Sequence, residues 1–511
     1  MIRRLVLALA ALGIGGASAA QAEWMEARSR HFILYGDTSE KSLRAQAVAL
    51  ERLDHSLRFF MEKEDPPESA SNPLVVFLTR DSDVRKFAGN NDVAGLYRPR
   101  VGGAVAFSAG FAGGDQDFPR IVLFHEYAHH FMYANYLVAF PGWFAEGFAE
   151  FASTLRLGED RATIGVPANH RAYGIYNGAK MPVHLMFNPA TWEQRHGGLD
   201  VQTFYGRGWL LTHYLFFHAE RFKQFTAYVA NINNGRPSPA AAKDAFGDLR
   251  ALDREVDAYL SRNRIPGMYI PYGDGPPPEV AVRTLSPGEA AMIRFRMEST
   301  NGVDSKSAVA LYQRAAPVAA RFPDDPVAQG WFAEIAHDAG EAEMAEQAAD
   351  RAIARDPKSV QGLLYKAQLQ MEKLAREKNR DTAAWQKARS PIIIANRLDP
   401  NNAAPLWAFW QSFAAEGIPP TKSALAGLYR AQELSPQASE VRFAAAAAHV
   451  HAGEEDMARM LLRPLAYDPH APADNPAARM LAALDAGQKG DAALSAAAGA
   501  PVLKDAGPAR P

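Results

Sequence analysis

The stretch FPRIVLFHEYAHHFMYANYLVAFPGWFAEGFAEF, residues 118–151, contains two apolar helical segments that each carry ionisable side chains. Asp117 and Pro119 indicate a helix start, because Asp is a favoured N-cap residue and Pro fits the first turn. The helix predicted over 120–136 is apolar nearly all round, which indicates burial. A buried helix cannot hold two imidazoles and a carboxylate unless they have partners.

The first segment carries the pattern His-Glu-x-x-His at His125, Glu126 and His129. Positions four apart lie on one helix face, so both imidazoles can reach one Zn²⁺ at about 2.0–2.1 Å. Glu126 then stands beside the open coordination position. A polar stripe on an exposed helix produces the same pattern, so the motif alone leaves a metal-free alternative open.

The second segment is apolar except for Glu146 and Glu150, which are four residues apart. Like charges at this spacing repel and are costly to bury, unless a cation lies between them or they accept hydrogen bonds. We therefore predict that Glu146 is a third metal ligand. Glu150 is predicted to accept the ring N–H of a ligand histidine, His125 rather than His129. The alternative is a pair of partly solvated helix glutamates.

Composition narrows the classes of function. The 511 residues include no cysteine, so any metal must be held by histidines and carboxylates. Fifty-five Lys and Arg against 57 Asp and Glu give a formal charge of −2, which offers no excess of positive charge for nucleic acid or anionic lipid. A hydrophobic content of 48% suits buried cores, and the length suits two to four domains of about 100–200 residues each.

The first 22 residues have the features of a signal peptide. Arg3 and Arg4 precede an apolar run over 5–14, and Ala20-Gln21-Ala22 fits a cleavage site before Glu23. No later stretch approaches the roughly 20 uncharged apolar residues of a membrane span. We expect export and no membrane span in the mature chain, with the periplasm as first expectation and an extracellular location as the alternative. An uncleaved N-terminal anchor is the other interpretation.

Pattern changes along the chain predict its domains. Residues 23–270 alternate at first between strand-like and helical segments and then become mainly helical, which predicts a small mixed α/β lobe followed by a helical lobe. The expected elements are strands at 31–35 and 74–78, a helix over 40–61 and a hairpin over 93–107. A Pro- and Gly-rich run follows, so we predict a linker over 271–303, or a short strand pair leading out of the first domain.

Residues 304–487 are Ala-rich and helical, with five prolines spaced 33 to 43 residues apart at Pro323, Pro357, Pro400, Pro436 and Pro469. A period near 34 residues predicts helix-turn-helix repeats of the tetratricopeptide kind, whose concave surface suits a protein partner or the substrate. An irregular helical bundle is the alternative. The tail, residues 488–511, is predicted to be disordered.

Taken together, the motifs in residues 24–264 resemble those of gluzincin metallopeptidases, the thermolysin- and aminopeptidase-like superfamily. His125-Glu126-x-x-His129 is followed by Glu146 in Trp-x-x-Glu-Gly-x-Ala-Glu. The arrangement looks closest to bacterial gluzincin-like proteins that have a small N-terminal lobe and C-terminal tetratricopeptide repeats. The resemblance implies an α+β catalytic domain followed by an all-α repeat domain. It also implies one zinc ion per chain held by His125, His129 and Glu146, with Glu126 as general base.

A further match to the aminopeptidase branch lies at Tyr205-Gly206-Arg207-Gly208. The resemblance implies that the Tyr205 hydroxyl donates to the oxyanion of the tetrahedral intermediate, and a phenol is chemically suited to this because it is a neutral donor. A buried core tyrosine is the alternative. His213, His218 and His130 are weaker candidates, because a lone helix histidine is more often a packing or surface residue.

The sequence also departs from the aminopeptidases, which carry a Gly-x-Met-Glu-Asn segment on the edge strand before the zinc helix. The corresponding residues 101–108 contain no acid to hold a free amine, so an exopeptidase is disfavoured. The same strand, with Ala104, Val105 and Ala106, is predicted to pair with an extended peptide backbone, because edge strands offer unpaired N–H and C=O groups.

The sequence thus leads us to expect an exported zinc-dependent peptidase, an endopeptidase, that acts on peptide or protein substrates. One alternative is a catalytically silent peptidase-fold scaffold that binds protein partners. It is disfavoured because the base and all three ligands are present. Another alternative keeps the metal but hydrolyses a non-peptide amide or ester.

Overall fold

The computed structural model describes residues 23–498, apart from 68–71, 92, 112–113, 115–116, 178–180, 189–197, 263, 469–470 and 473. The predicted signal peptide lies outside these residues. A mixed α/β N-terminal part is followed by a large helical C-terminal region. No helix in the described part of the chain combines the length and the apolar character that crossing a membrane requires.

A six-stranded sheet forms the centre of the N-terminal part. Its strands are β1 (Trp24–Arg28), β2 (Phe32–Asp37), β3 (Leu74–Thr79), β4 (Gly95–Arg98), β5 (Val105–Ala109) and β9 (Ala281–Thr284). Their order across the sheet is β4-β5-β3-β2-β1-β9. β2, β3 and β5 are parallel neighbours, while β4 pairs antiparallel with β5 and lies at one edge. The strands predicted at 31–35 and 74–78 and the hairpin near 93–107 are therefore present.

One face of the sheet packs against α1 (Glu40–Phe60) and α3 (Phe118–Asn135). Alternate strand residues point into this core, including Leu34, Val76 and Ala106, because successive side chains of a strand point to opposite faces. The remaining helices of the N-terminal part are α2 (Asp81–Ala88), α4 (Gly142–Ser153), α5 (Val183–Met186), α6 (Gly198–Phe216), α7 (Ala219–Asn233), α8 (Ser238–Phe246) and α9 (Leu249–Leu260). A smaller sheet contains β6 (Arg156–Leu157), β7 (Arg161–Ile164) and β8 (Met268–Pro271).

The other face of the main sheet is covered by the C-terminal region. Phe77 and Phe107 share a buried core with Met292 of α10 (Pro287–Thr300) and with Trp331 and Phe332 of α12 (Pro326–Asp338). The interval 271–303 is therefore not a plain linker. It contains β9, which pairs with β1, and α10, which packs against the sheet. The alternative of a short strand pair is not found either, because β8 and β9 belong to different sheets and do not pair with each other.

The rest of the C-terminal region consists of helices in which chain neighbours pack against each other. They are α11 (Ser305–Ala319), α13 (Ala342–Arg355), α14 (Val360–Arg376), α15 (Thr382–Leu398), α16 (Ala403–Glu416), α17 (Lys422–Leu434), α18 (Ser439–Ala452), α19 (Glu455–Ala466), α20 (Pro476–Asp485) and α21 (Gly490–Ala497). The prediction of disorder from residue 488 is wrong for α21, because its Ala493 is buried in a core shared with α18 and α20. Residues 499–511 lie outside the described part.

The shared core predicts that residues 23–271 are not an independent folding unit. A chain ending after Pro271 lacks β9, α10 and α12, so Phe77 and Phe107 become exposed. We expect it to bind a hydrophobic dye and to lose a cooperative thermal transition. A chain ending after Arg355 should bind no dye and should keep the cooperative transition. Circular dichroism and dye fluorescence measure this. A chain of residues 23–271 that unfolds at the same temperature as the full protein would contradict the shared core.

Candidate metal centre

The two helices predicted from residues 118–151 are present as α3 and α4, and they pack against each other. Eleven of the twelve residues of α4 are buried, including both glutamates, of which Glu146 is 7% exposed and Glu150 is 1% exposed. The alternative of partly solvated helix glutamates is therefore excluded. Two carboxylates one helical turn apart in an apolar interior require nearby cations or donors.

His125, His129 and Glu146 come together across the two helices. The Nε2 atoms of His125 and His129 are 3.1 Å apart, and Glu146 Oε2 lies 3.3 Å from His125 Nε2 and 3.7 Å from His129 Nε2. All three ligand atoms lie within 4.8 Å of one another, so the group can hold a metal ion. Two imidazole nitrogens and one carboxylate oxygen form a donor set suited to a divalent metal with an open position.

The immediate surroundings of Glu146 also fit a cation. Its Oε2 atom is buried and has no hydrogen-bond partner within the described part of the chain. A buried carboxylate oxygen without a donor is unfavourable, whereas a metal ion between the two imidazoles would satisfy it. The structure therefore agrees with the three predicted ligands.

Glu150 holds His125 as predicted and is itself held by two residues that the sequence did not indicate. Its Oε1 lies 3.2 Å from His125 Nδ1 and accepts from Arg171 at 2.6 Å, while its Oε2 lies 2.7 Å from His170 Nε2. His125 thus turns its Nδ1 to Glu150 and its Nε2 to the ligand cluster, and the contact fixes the orientation of the ring. His170 and Arg171 sit in a 3₁₀ turn, Asn169–Arg171, with no motif of their own.

Charges in the cluster shift the pKa values of its members. Burial lowers the pKa of His125, but the neighbouring carboxylates of Glu146 and Glu150 outweigh this effect and raise the pKa to about 10. Burial raises the pKa of Glu146, yet the neighbouring histidines hold it well below its usual value. The pKa of Glu150 is likewise lowered, against its burial, by His125, His170 and Arg171. The two carboxylates are ionised, and the negative charge of Glu146 favours a cation at the group of His125, His129 and Glu146.

Glu126 lies close enough to His125, His129 and Glu146 for their charges to act on its carboxylate, and it contacts the edge strand β4 at Gly95. A Cβ atom added to Gly95 would lie 2.9 Å from Glu126 Cγ, so only glycine allows this approach of strand and helix. Burial raises the pKa of Glu126, although the charges of His125 and His129 oppose the shift. A carboxylate with a raised pKa is a better proton acceptor near neutral pH.

The prediction that Ala104, Val105 and Ala106 form a substrate-binding edge strand is wrong. Val105 and Ala106 belong to β5, which is paired on both sides, with β4 and with β3. All three residues are at most 3% exposed. Ala104 and Ala106 lie in the core between the sheet and the helices α1 and α3, and Val105 lies in the core between the sheet and the helices α10 and α12. The edge strand is β4, and the sequence pattern of the hairpin does not show which of its two strands lies outside.

Tyr205 on α6 lies beside the cluster. Its ring centroid is 6.0 Å from that of His125, and the Arg171 guanidinium lies 4.8 Å from the Tyr205 ring centroid. Burial raises the pKa of its phenol well above the usual value, so it stays a neutral donor. Close packing of α4 and α6 positions it, because a Cβ atom at Gly147 would lie 2.5 Å from the carbonyl oxygen of Gly208.

The three weaker histidine candidates each contact residues outside the cluster. His213 is fully buried, with Nε2 3.0 Å from the Gly165 carbonyl oxygen, and burial lowers its pKa to about 4. His218 occupies the N-cap of α7. His130 Nδ1 lies 3.0 Å from the Tyr97 hydroxyl on β4, and burial lowers its pKa to about 4.

Comparison with known proteins adds no relative. No protein-family model matches the chain, and a search of curated proteins finds no match. The chemical interpretation of this site therefore depends on its own geometry.

The Glu150 contacts predict a graded loss of metal affinity. Glu150→Gln removes the charge that orients His125, so we expect affinity for added Zn²⁺ to fall by about 10–100-fold. Glu146→Gln removes a direct ligand and should reduce the affinity for Zn²⁺ further. Competition with a chromophoric chelator measures both, and Glu220→Gln, at an exposed position, is the matched control. Equal affinities for Glu150→Gln and Glu220→Gln would show that Glu150 does not act on the metal site.

Proposed function

We propose that the protein is a zinc-dependent peptidase related to the gluzincins. The observation that carries this proposal is the cluster of His125, His129 and buried Glu146, with Glu126 close to it. Zinc is the expected ion because it favours a set of two imidazoles and a carboxylate with one open position, as in metallopeptidases. When bound, zinc would lower the pKa of a water molecule and polarise a substrate carbonyl.

The chain's own residues supply the remaining chemistry. Glu126 accepts a proton from the attacking water and passes it to the leaving amine, which its raised pKa favours. Tyr205 donates its hydroxyl to the oxyanion that forms on the former carbonyl. Glu150 keeps the His125 ring in place through its contact with Nδ1.

The edge strand β4 is the surface we assign to the substrate. An extended peptide would pair with the free backbone groups of β4 and pass Gly95, next to Glu126. Gly95-Leu96-Tyr97-Arg98 contains no carboxylate to capture a free amine, so the proposal remains an endopeptidase. The helical C-terminal region is proposed to be of the tetratricopeptide kind, and residues 1–22 to direct export to the periplasm.

Substitutions of Glu126 and Tyr205 separate chemistry from metal binding. Loss of a general base costs about 10²–10⁴ in rate and loss of an oxyanion donor about 10²–10³. We expect Glu126→Gln and Tyr205→Phe to reduce kcat by these factors while zinc content and thermal stability stay near wild type. Hydrolysis of an internally quenched peptide library, with metal analysis of each sample, measures this.

Tyr173→Phe is the control for the tyrosine substitution, because Tyr173 is exposed and lies after Arg171 on the same segment. Full activity of Tyr205→Phe would assign Tyr205 to packing. Peptide cleavage that persists in Glu126→Gln would contradict the peptidase mechanism. A zinc-loaded wild type that binds but never cleaves peptides would favour the silent-scaffold alternative.

A further inference from the structure

The connection between β4 and β5 reaches into the helical C-terminal region. Arg100 lies in this connection, and its Nη2 is 2.9 Å from Glu334 Oε1 on α12. Gln437, between α17 and α18, donates to the carbonyl oxygen of Arg100 at 3.4 Å. Val101 packs against the core formed by the last helices. One short loop therefore contacts two separate parts of the helical region.

Glu334 is the centre of a buried polar cluster. Besides Arg100 it accepts from Arg296 and from Gln361, and it lies 3.4 Å from the Ser299 hydroxyl. Burial raises its pKa, but Arg296 and Arg100 outweigh this effect and hold the pKa at about 2. The carboxylate is thus ionised and fixed by several groups, so it is a rigid anchor for the loop.

A second contact holds β4 itself. Arg98, the last residue of the strand, donates from Nε to the Asn301 side-chain oxygen at 3.2 Å, and Asn301 in turn donates to the Phe87 carbonyl oxygen at 3.0 Å. Asn301 follows α10, so this contact also belongs to the helical region. The outer edge of β4 has no further strand to hold it within the described part of the chain.

We propose that Arg100 is a positioning residue, and that its ion pair with Glu334 lets the helical region set the place of β4 against Glu126. The inference depends on the proposed function, since β4 is the strand assigned to the substrate. Gly95 and Glu126 are packed so closely that a small shift of the hairpin alters the contact between the strand and the Glu126 side chain. The helix α12, which carries Glu334, thus affects substrate binding through the loop between β4 and β5.

The test compares Arg100→Gln with Arg389→Gln. Arg389 forms a buried pair with Glu416 between α15 and α16, so this control removes the same kind of contact without touching the hairpin. For Arg100→Gln we expect KM for a quenched peptide to rise about three- to tenfold, because a charge-assisted contact that positions β4 is lost. The value of kcat should stay within about twofold of wild type. Glu334 keeps Arg296 and Gln361, so folding and zinc content should persist.

Two further measurements complete the design. Arg100→Lys keeps the charge and should restore part of the KM, and hydrogen exchange of the 95–98 amides should be faster only in Arg100→Gln. An unchanged KM in Arg100→Gln, or an equal rise in Arg389→Gln, would overturn the proposal. If wild type cleaves no peptide, the proposed function fails. In that case hydrogen exchange still tests the role of Arg100 independently of activity. Equal exchange rates of the 95–98 amides in Arg100→Gln and Arg389→Gln would show that Arg100 does not position β4.

Discussion

The arrangement of the site follows from one constraint: two glutamates one helical turn apart are buried between apolar helices. Glu146 and Glu150 repel each other, and neither is exposed enough for water to screen the repulsion. Each carboxylate is therefore matched by positive or donor groups on a neighbouring element. Glu150 receives Arg171, His170 and His125 Nδ1, and Glu146 faces the Nε2 atoms of His125 and His129. Glu146 Oε2 has no hydrogen-bond donor in the described part of the chain, so a cation held by this group would satisfy it.

This constraint links the metal ligands to parts of the chain that carry no motif. Arg171 contacts Glu150, lies over the Tyr205 ring and donates to Gln202 on α6. It thus connects α4, which carries the candidate ligand Glu146, to α6, which carries the proposed oxyanion donor Tyr205. The glycines of both motifs serve the same packing, because Gly147 and Gly208 let α4 and α6 approach each other. The motif residues act as one packed unit, so the effects of single substitutions are not expected to be additive.

The local parts of the site were predictable from the sequence, because helical spacing alone places His125 next to His129 and Glu146 next to Glu150. The position of the two helices against each other was inferred from the cost of burying charge, and the distances agree with it. Long-range features were not accessible. The order of β4 and β5 in the sheet depends on pairing between distant residues, and His170 and Arg171 meet Glu150 only through the fold of an irregular segment. The packing of α10 and α12 on the sheet was not accessible either, because these helices are distant in sequence from the strands that they cover.

His125, His129 and Glu146 are proposed to bind one metal ion together. Elemental analysis of the purified chain, with X-ray absorption at the zinc edge, tests it most directly. We expect about one zinc per chain, coordinated by two imidazoles and one carboxylate, and we expect His129→Ala to lose that zinc and to be less stable. Protein prepared without chelators that contains no zinc and takes none up, or zinc that His129→Ala retains unchanged, would contradict it.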